Sequence, residues 1–198
     1  ISTKEQTFSY DQFYKLEKYR SGSFPQIDGS LDGAIYFPGS INLKPFKRIS
    51  ETDFINEYEI NAFGAAAFAQ SYIENLKRAE PSSLVFMSSV AAQVGLPFHA
   101  SISMAKGAVE GLTKALAAEF AHLVRVNCVA PSLTQTPLSD KLINTPEKAE
   151  ILKNKNPLKK IGAVKDIANV LSFLLSEKAA WITGQTIHVD GGFNNLKI

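Results

Sequence analysis

Residues 83–129 read SLVFMSSVAAQVGLPFHASISMAKGAVEGLTKALAAEFAHLVRVNCV, and this stretch decides the fold. It opens with an apolar run over 83–87 of the length and character of a buried strand, closed by Ser88 and Ser89. A helix is expected over 101–121, because Ile102, Ala105, Val109, Leu112, Leu116 and Phe120 step by three and four residues along one stripe. A second strand-like run follows at 123–129. Strand, helix and strand in this order are the repeating unit of a parallel sheet covered by helices.

The alternation continues on both sides of this unit. Upstream, 31–37 is a short strand ended by Pro38-Gly39, and 50–76 has helical periodicity, with Phe54, Tyr58, Asn61 and Ala65 three or four apart. Downstream, a proline-containing loop and a lysine-rich stretch lead to a helix over 166–175 with Asp166 at its start. A last strand over 186–189 precedes Asp190-Gly191-Gly192. The expectation is an α/β protein with a parallel sheet and helices on both faces. Ligands of such sheets sit beyond the carboxyl ends of the strands, which directs attention to Gly39, Ser88, Ser89 and the loop at Pro131.

Composition sets the outer limits. The 198 residues carry 45% hydrophobic and 20% charged side chains, 12 Gly and 9 Pro, an ordinary globular balance that excludes a collagen-like or disulfide-framework chain. A net charge of +2, without a dense basic stripe interleaved with aromatics, gives no reason to expect a nucleic-acid partner. The longest apolar stretch, 60–69, is broken by Asn61 and Gly64 and is far shorter than a membrane span of ~20 residues, so no membrane partner is expected. The lone cysteine, Cys128, lies in a strand-like run and reads as a small buried thiol. With no signal-like start, a cytoplasmic location is expected.

The motifs, taken in order, are more specific than any one alone. They are Ile60-Asn61-Ala62, Met87-Ser88-Ser89-Val90-Ala91, Ala105-Lys106-Gly107-Ala108-Val109, Arg125-Val126-Asn127, the segment from Pro131 to Thr136, Thr183-Gly184-Gln185 and Val189-Asp190-Gly191-Gly192. In this series the chain resembles the short-chain dehydrogenase/reductase family, over almost everything from Leu31 to Phe193. The resemblance implies a doubly wound, Rossmann-type domain over 1–198 that exchanges hydride between NAD(P) and a small carbonyl or alcohol substrate. It assigns Ser89 to the substrate oxygen, Lys106 to lowering the pKa of a neighbouring donor, and Asn61 to a water relay.

The family's proton-donating tyrosine stands four residues before the lysine. Here that place is held by Ile102, which has no proton to give. His99, three residues earlier, is the alternative donor, since imidazole can act as an acid near neutral pH. Ser101 and Ser103 are weaker acids. Two functions therefore stay open: an oxidoreductase with a non-standard proton donor, and an inactive relative kept as a nucleotide-binding or oligomeric module.

Cofactor contacts implied by the resemblance fall on Lys4, Asp11, Gly39, Lys106, Leu133 and Thr136, with Thr136 placed for the nicotinamide amide. Where the family reads Asn-Asn-Ala-Gly, this chain has Tyr36-Phe37-Pro38-Gly39, which keeps only the glycine. If 1–4 ends the family's second strand, Lys4 stands where NAD-preferring members carry an acid, which favours NADP. The glycine-rich pyrophosphate turn belongs to a first strand-helix unit that has no match before Leu31, so about one such unit, roughly 30 residues, is expected to precede Ile1. No metal is implied. Small residues at 65–67, 115, 117 and 118, on faces beyond the core stripe, together with the pairing that the resemblance implies through the helices bearing Asn61 and Lys106, point to a homodimer or homotetramer. Lys153, Lys155, Lys159 and Lys160 read as a solvated face or as an attractor of anionic substrate.

Overall fold

The computed structural model describes residues 12–197, so the expectations for Lys4, Asp11 and the strands at 1–4 and 6–11 lie outside the described residues. Among the described residues four parallel strands, β1 (Gly33–Tyr36), β2 (Ser82–Met87), β3 (Val124–Pro131) and β4 (Thr186–Val189), pair in chain order. Tyr36 lies opposite Phe86, Phe86 opposite Cys128, and Cys128 opposite Thr186. The strands thus end along one edge, where the candidate site residues gather.

Alternate side chains on each strand enter different cores, as strand geometry requires. Leu84, Phe86, Val124, Val126 and Cys128 face a cluster completed by Ala65, Phe68, Tyr72 and Leu76 of one helix and Val109 and Ala117 of another. Val85 and Val129 face the opposite side, against Ile167, Leu171 and Leu174. The helices are α1 (Glu51–Tyr58), α2 (Gly64–Lys77), α3 (Ala100–Phe120), α4 (Pro146–Lys155) and α5 (Val164–Leu175). The sheet is therefore covered on both faces, the doubly wound arrangement expected from the sequence. Cys128 is fully buried and its thiol is pushed up to about 12 by burial, as an inert core group.

The expected helix at 50–76 is one rod with a defect. Ser50 caps it with a reciprocal box, its Oγ accepting from the Asp53 N–H while its own N–H donates to the Asp53 carboxylate. Between α1 and α2 the residues Glu59–Phe63 form a π-helical turn, and Asn61 sits inside it. The Ile60 carbonyl in this turn accepts a 2.6 Å bond from the Tyr36 hydroxyl at the end of β1. Gly64 follows, and a Cβ there would run directly into that hydroxyl. Gly64→Ala would gain helix propensity, but Tyr36 is buried and held, so overpacking should dominate. A net loss of about 1–3 kcal/mol is expected from chemical denaturation.

Two motifs turn out to be structural. Asn127 points its side chain across to the connection before β4, donating to the Ile182 carbonyl and accepting from the Gln185 N–H. Thr183 and Gly184 join it through bonds to the Val126 N–H and C=O. Asp190 caps the final turn, accepting from the N–H groups of Gly192 and Asn194. The small-residue expectation needs correction. Ala65, Ala67 and Ala117 are buried rather than on outer faces, because α2 and α3 press directly against the strands. The exposed small residues are Gly107, Gly111, Ala115 and Ala118.

Candidate active site

Lys106 lies on the inner face of α3, one turn beyond Ile102, and is 7% exposed. Its ammonium reaches the end of β2 and donates to the Met87 carbonyl at 2.8 Å. Burial disfavours the charged amine and brings its pKa down to about 8, while the negative charge of Glu57 opposes the fall. Gly39, at the end of the first strand's turn, faces the same point: a Cβ there would lie 3.4 Å from Lys106 Nζ and 3.2 Å from Asn61 Oδ1. Gly39, Asn61 and Lys106 thus converge beyond the carboxyl ends of β1 and β2.

Asn61 is 1% exposed, and its two faces differ. Its Nδ2 is shared among the Glu57 carbonyl at 2.9 Å, Ser40 Oγ at 3.0 Å and the Glu57 carboxylate at 3.1 Å. Its Oδ1 is buried with no hydrogen-bond partner. A buried acceptor left in this state costs about 1–3 kcal/mol unless something donates to it, so it marks a place prepared for a donor.

The serine pair divides its work. Ser88 Oγ donates to Glu110 Oε1 at 2.8 Å, and Gln93 Nε2 donates to Glu110 Oε2 at 2.9 Å, which ties the 88–93 segment to α3. Ser89 Oγ only accepts, from the Ala91 N–H at 3.2 Å, and so keeps its own O–H for a ligand. A cleft of about 320 Å³ opens between the 91–96 segment that follows the serines and the start of α3, walled by Phe46, Ala92, Val94, Leu96 and Phe98, with Lys44, Gln93 and Ser103 as its polar groups; Ser89, Lys106 and Asn61 do not line it.

His99 is placed differently. It precedes α3, where its Nδ1 bonds the Pro97 carbonyl at 2.7 Å, and seven residues of helical rise, ~10 Å, separate it from Lys106. A carbonyl only accepts, so Nδ1 carries a proton and Nε2 can donate only as imidazolium. Ile102 is 3% exposed yet belongs to neither apolar cluster among the described residues. On the far side of the sheet edge, the Leu133 carbonyl is engaged by the Gly162 N–H, and the Thr136 N–H and C=O are held by Ser139. Of the lysine cluster, Lys153 pairs with Glu150, Lys159 bonds the Asn154 carbonyl and Lys160 pairs with Asp166, as expected for a solvated face.

A family model described as enoyl-(acyl carrier protein) reductase matches residues 21–194. The chain belongs to the short-chain dehydrogenase/reductase family. It is 34% identical over 168 residues to a tropinone reductase homologue of Arabidopsis thaliana, covering 84% of this chain and 55% of that protein. It is 33% identical over 153 residues to carbonyl reductase [NADPH] 2 of Sus scrofa, covering 76% of this chain and 63% of the relative. Among solved structures, ElxO with NADP bound superposes with a TM-score of 0.78 at 27% identity, over 83% of this chain and 68% of that one. The chain spans 55%, 63% and 58% of the first three curated relatives it matches.

The residues at the sheet edge fit the nicotinamide end of such a cofactor. Gly39 leaves room for close approach, and the unpartnered Asn61 Oδ1 and the Lys106 ammonium flank that space with an acceptor and a donor. Among the described residues no cluster of metal-ligating side chains is present, and no helix is long and apolar enough to cross a membrane. The sequence reading missed Glu57, Ser40 and Glu110. For Glu57 a signal existed, since it stands four residues before Asn61 on one helical face, where side chains meet.

Proposed function

We propose that the chain is an NADP-linked oxidoreductase that interconverts a small carbonyl compound and its alcohol. The observation that carries the reading is the convergence of Lys106, Asn61 and Gly39 at the carboxyl edge of the sheet, where β2 ends two residues before Ser89. When bound, the nicotinamide supplies or accepts the hydride. Lys106 holds a positive charge where negative charge develops on the substrate oxygen, and Ser89 donates a hydrogen bond to that oxygen. With Ile102 in the donor's place, the alkoxide formed by hydride addition takes its proton from water, and the alcohol gives it back to water in the reverse direction. Asn61 Oδ1 accepts from a donor in the space beside Gly39. The open cleft on the far side of the 90–92 turn, walled by Phe46, Val94, Leu96 and Phe98 with Lys44 and Gln93 on its rim, receives the remainder of the substrate.

The NADP preference is supported by Lys4 in the sequence and by two relatives named for NADPH or holding NADP. Isothermal titration should give tighter binding of NADPH than of NADH. Equal or reversed affinities remove the preference, and binding of neither removes the cofactor reading. A second reading, an inactive nucleotide-binding module, is favoured by one observation: Ile102 occupies the donor's place on α3. Both readings treat 1–198 as part of one domain. Both also include a homo-oligomer, its contacts on the outer face of α3 where Met104 is 52% exposed beside Gly107, Gly111 and Ala115. Light scattering at micromolar concentration is expected to give at least a dimer mass, and a monomer mass overturns this.

A further inference from the structure

Glu57 is 3% exposed on α1, and nothing in the reaction outlined above uses it. Burying a carboxylate is costly unless donors and a counter-charge face it. Here Ser40 Oγ donates to Glu57 Oε2 at 3.1 Å, Asn61 Nδ2 donates to the same oxygen at 3.1 Å, and the Asn42 N–H also bonds the carboxylate. Burial still pushes the Glu57 carboxyl above its ordinary range, and these donors together with the charge of Lys106, on α3, hold it back. These donors gather on one side of the carboxylate and leave Asn61 only one orientation. With Nδ2 committed to Glu57 and Ser40, Oδ1 must face Gly39 and Lys106, where it is found without a partner.

We propose that Glu57 is a positioning residue of this site, holding Ser40 and the Asn61 amide so that Oδ1 faces the space beside Gly39, and supplying a buried negative charge to balance the Lys106 ammonium. An apolar side chain at 57 would take away one of the three acceptors of Asn61 Nδ2 and the acceptor of the Ser40 hydroxyl, leaving the amide held by the backbone carbonyl and Ser40 Oγ alone, and would remove the buried negative charge on this side of Lys106. The other groups around Lys106 do not replace it. The Cys128 thiol of β3 is neutral at any pH where the lysine titrates, because burial holds it up to about 12. Glu110, one turn further along α3, keeps its charge but turns its carboxylate to Ser88 and Gln93 and is not one of the groups that act on the lysine. The Met87 carbonyl of β2 contributes a dipole but no charge. Burial alone pushes the lysine toward the neutral form, so the carboxylate opposes a real tendency. The assignment deepens the reading of Lys106 as the site's lysine and rests on it.

The test reads Lys106 directly and needs no turnover. Competitive labelling with acetic anhydride, followed by mass spectrometry of the Lys106 peptide across pH 6–11, gives the midpoint of amine reactivity. Glu57→Gln keeps the shape and removes the charge. The midpoint is expected to fall by about one pH unit, the low end of the range for a nearby opposite charge, so that labelling below the midpoint runs about tenfold faster. Glu57→Asp, which keeps the charge, should return the midpoint toward the wild-type value. An unchanged or raised midpoint in Glu57→Gln overturns the proposal. Should that variant not fold, wild-type protein carrying ¹⁵N-lysine and ¹³C-glutamate decides: the Glu57 carboxyl carbon and Lys106 Nζ are expected to shift through the same pH step, and independent steps overturn the proposal. Loss of NADPH binding in wild type with the labelling shift intact would sink the dehydrogenase reading and leave the electrostatic pairing standing.

Discussion

Ile102→Tyr is expected to raise carbonyl reductase activity by ~10²- to 10⁴-fold over a panel of simple ketones and aldehydes with NADPH, the range a positioned general acid contributes. Position 102 lies four residues before Lys106, so the two side chains project from neighbouring turns of one helix face. A phenol there would feel the buried ammonium, which lowers its pKa, and would stand at the edge of the sheet with Ser89. Ile102 is buried but lies outside both apolar clusters, so the larger ring displaces no residue of the main core. Overpacking should cost about 1–3 kcal/mol at most. The lysine helps only while charged. Its pKa of about 8 means that the gained activity should decline as pH rises through that value, and a rate that climbs through it would contradict the mechanism. If the variant folds, binds NADPH and reduces nothing, the site is not a dehydrogenase site in waiting. His99→Gln checks the other donor: turnover by the wild type should survive it, because the ring is held by Pro97 about 10 Å of helical rise from Lys106, and loss of turnover would restore His99 to the mechanism.

The strands and helices were legible because their hydrophobic periods are strong and mutually consistent. Leu84, Val85 and Phe86 in β2 and the stripe on α3 could hardly be read otherwise. What stayed hidden depends on the third dimension. The π-helical turn around Asn61 adds no letter to the sequence, yet it determines which way the asparagine faces. Glu57 stands among Glu51, Asp53 and Glu59 in the sequence, and only packing against the 39–42 loop reveals that its carboxylate is buried. The alanines at 65, 67 and 117 misled for a related reason: small residues suit a helix pressed against a sheet as well as a helix pressed against another subunit. Residue types named the chemistry of Lys106 and Ser89, whereas their hydrogen-bonding state came from geometry alone.

Asn127→Ala is expected to be the most destabilising of the motif substitutions, although it touches no reacting group. The motif around Arg125-Val126-Asn127 carries the family resemblance, and the structure gives it a mechanical cause. Asn127 lies on the α5 face of β3 at 0% exposure, and its amide acts as a surrogate strand. One arm donates to the Ile182 carbonyl at 2.8 Å and the other accepts from the Gln185 N–H at 3.1 Å. Truncation removes both partners and leaves a backbone carbonyl and a backbone N–H without them, at about 1–3 kcal/mol each. Since the Cys128 N–H bonds the Gln185 carbonyl, the register of β4 beside β3 shares the damage. A loss of about 2–6 kcal/mol follows, read as a lower denaturation midpoint with little change in the slope of the transition. Asn127→Asp separates the two arms. Its carboxylate can still accept from Gln185 but cannot donate to Ile182, and the carbonyl there would face a negative charge, so it should be no more stable than the alanine variant. A wild-type midpoint for Asn127→Ala would show that water replaces both arms and that the segment 182–185 is held by Thr183 and Gly184 alone.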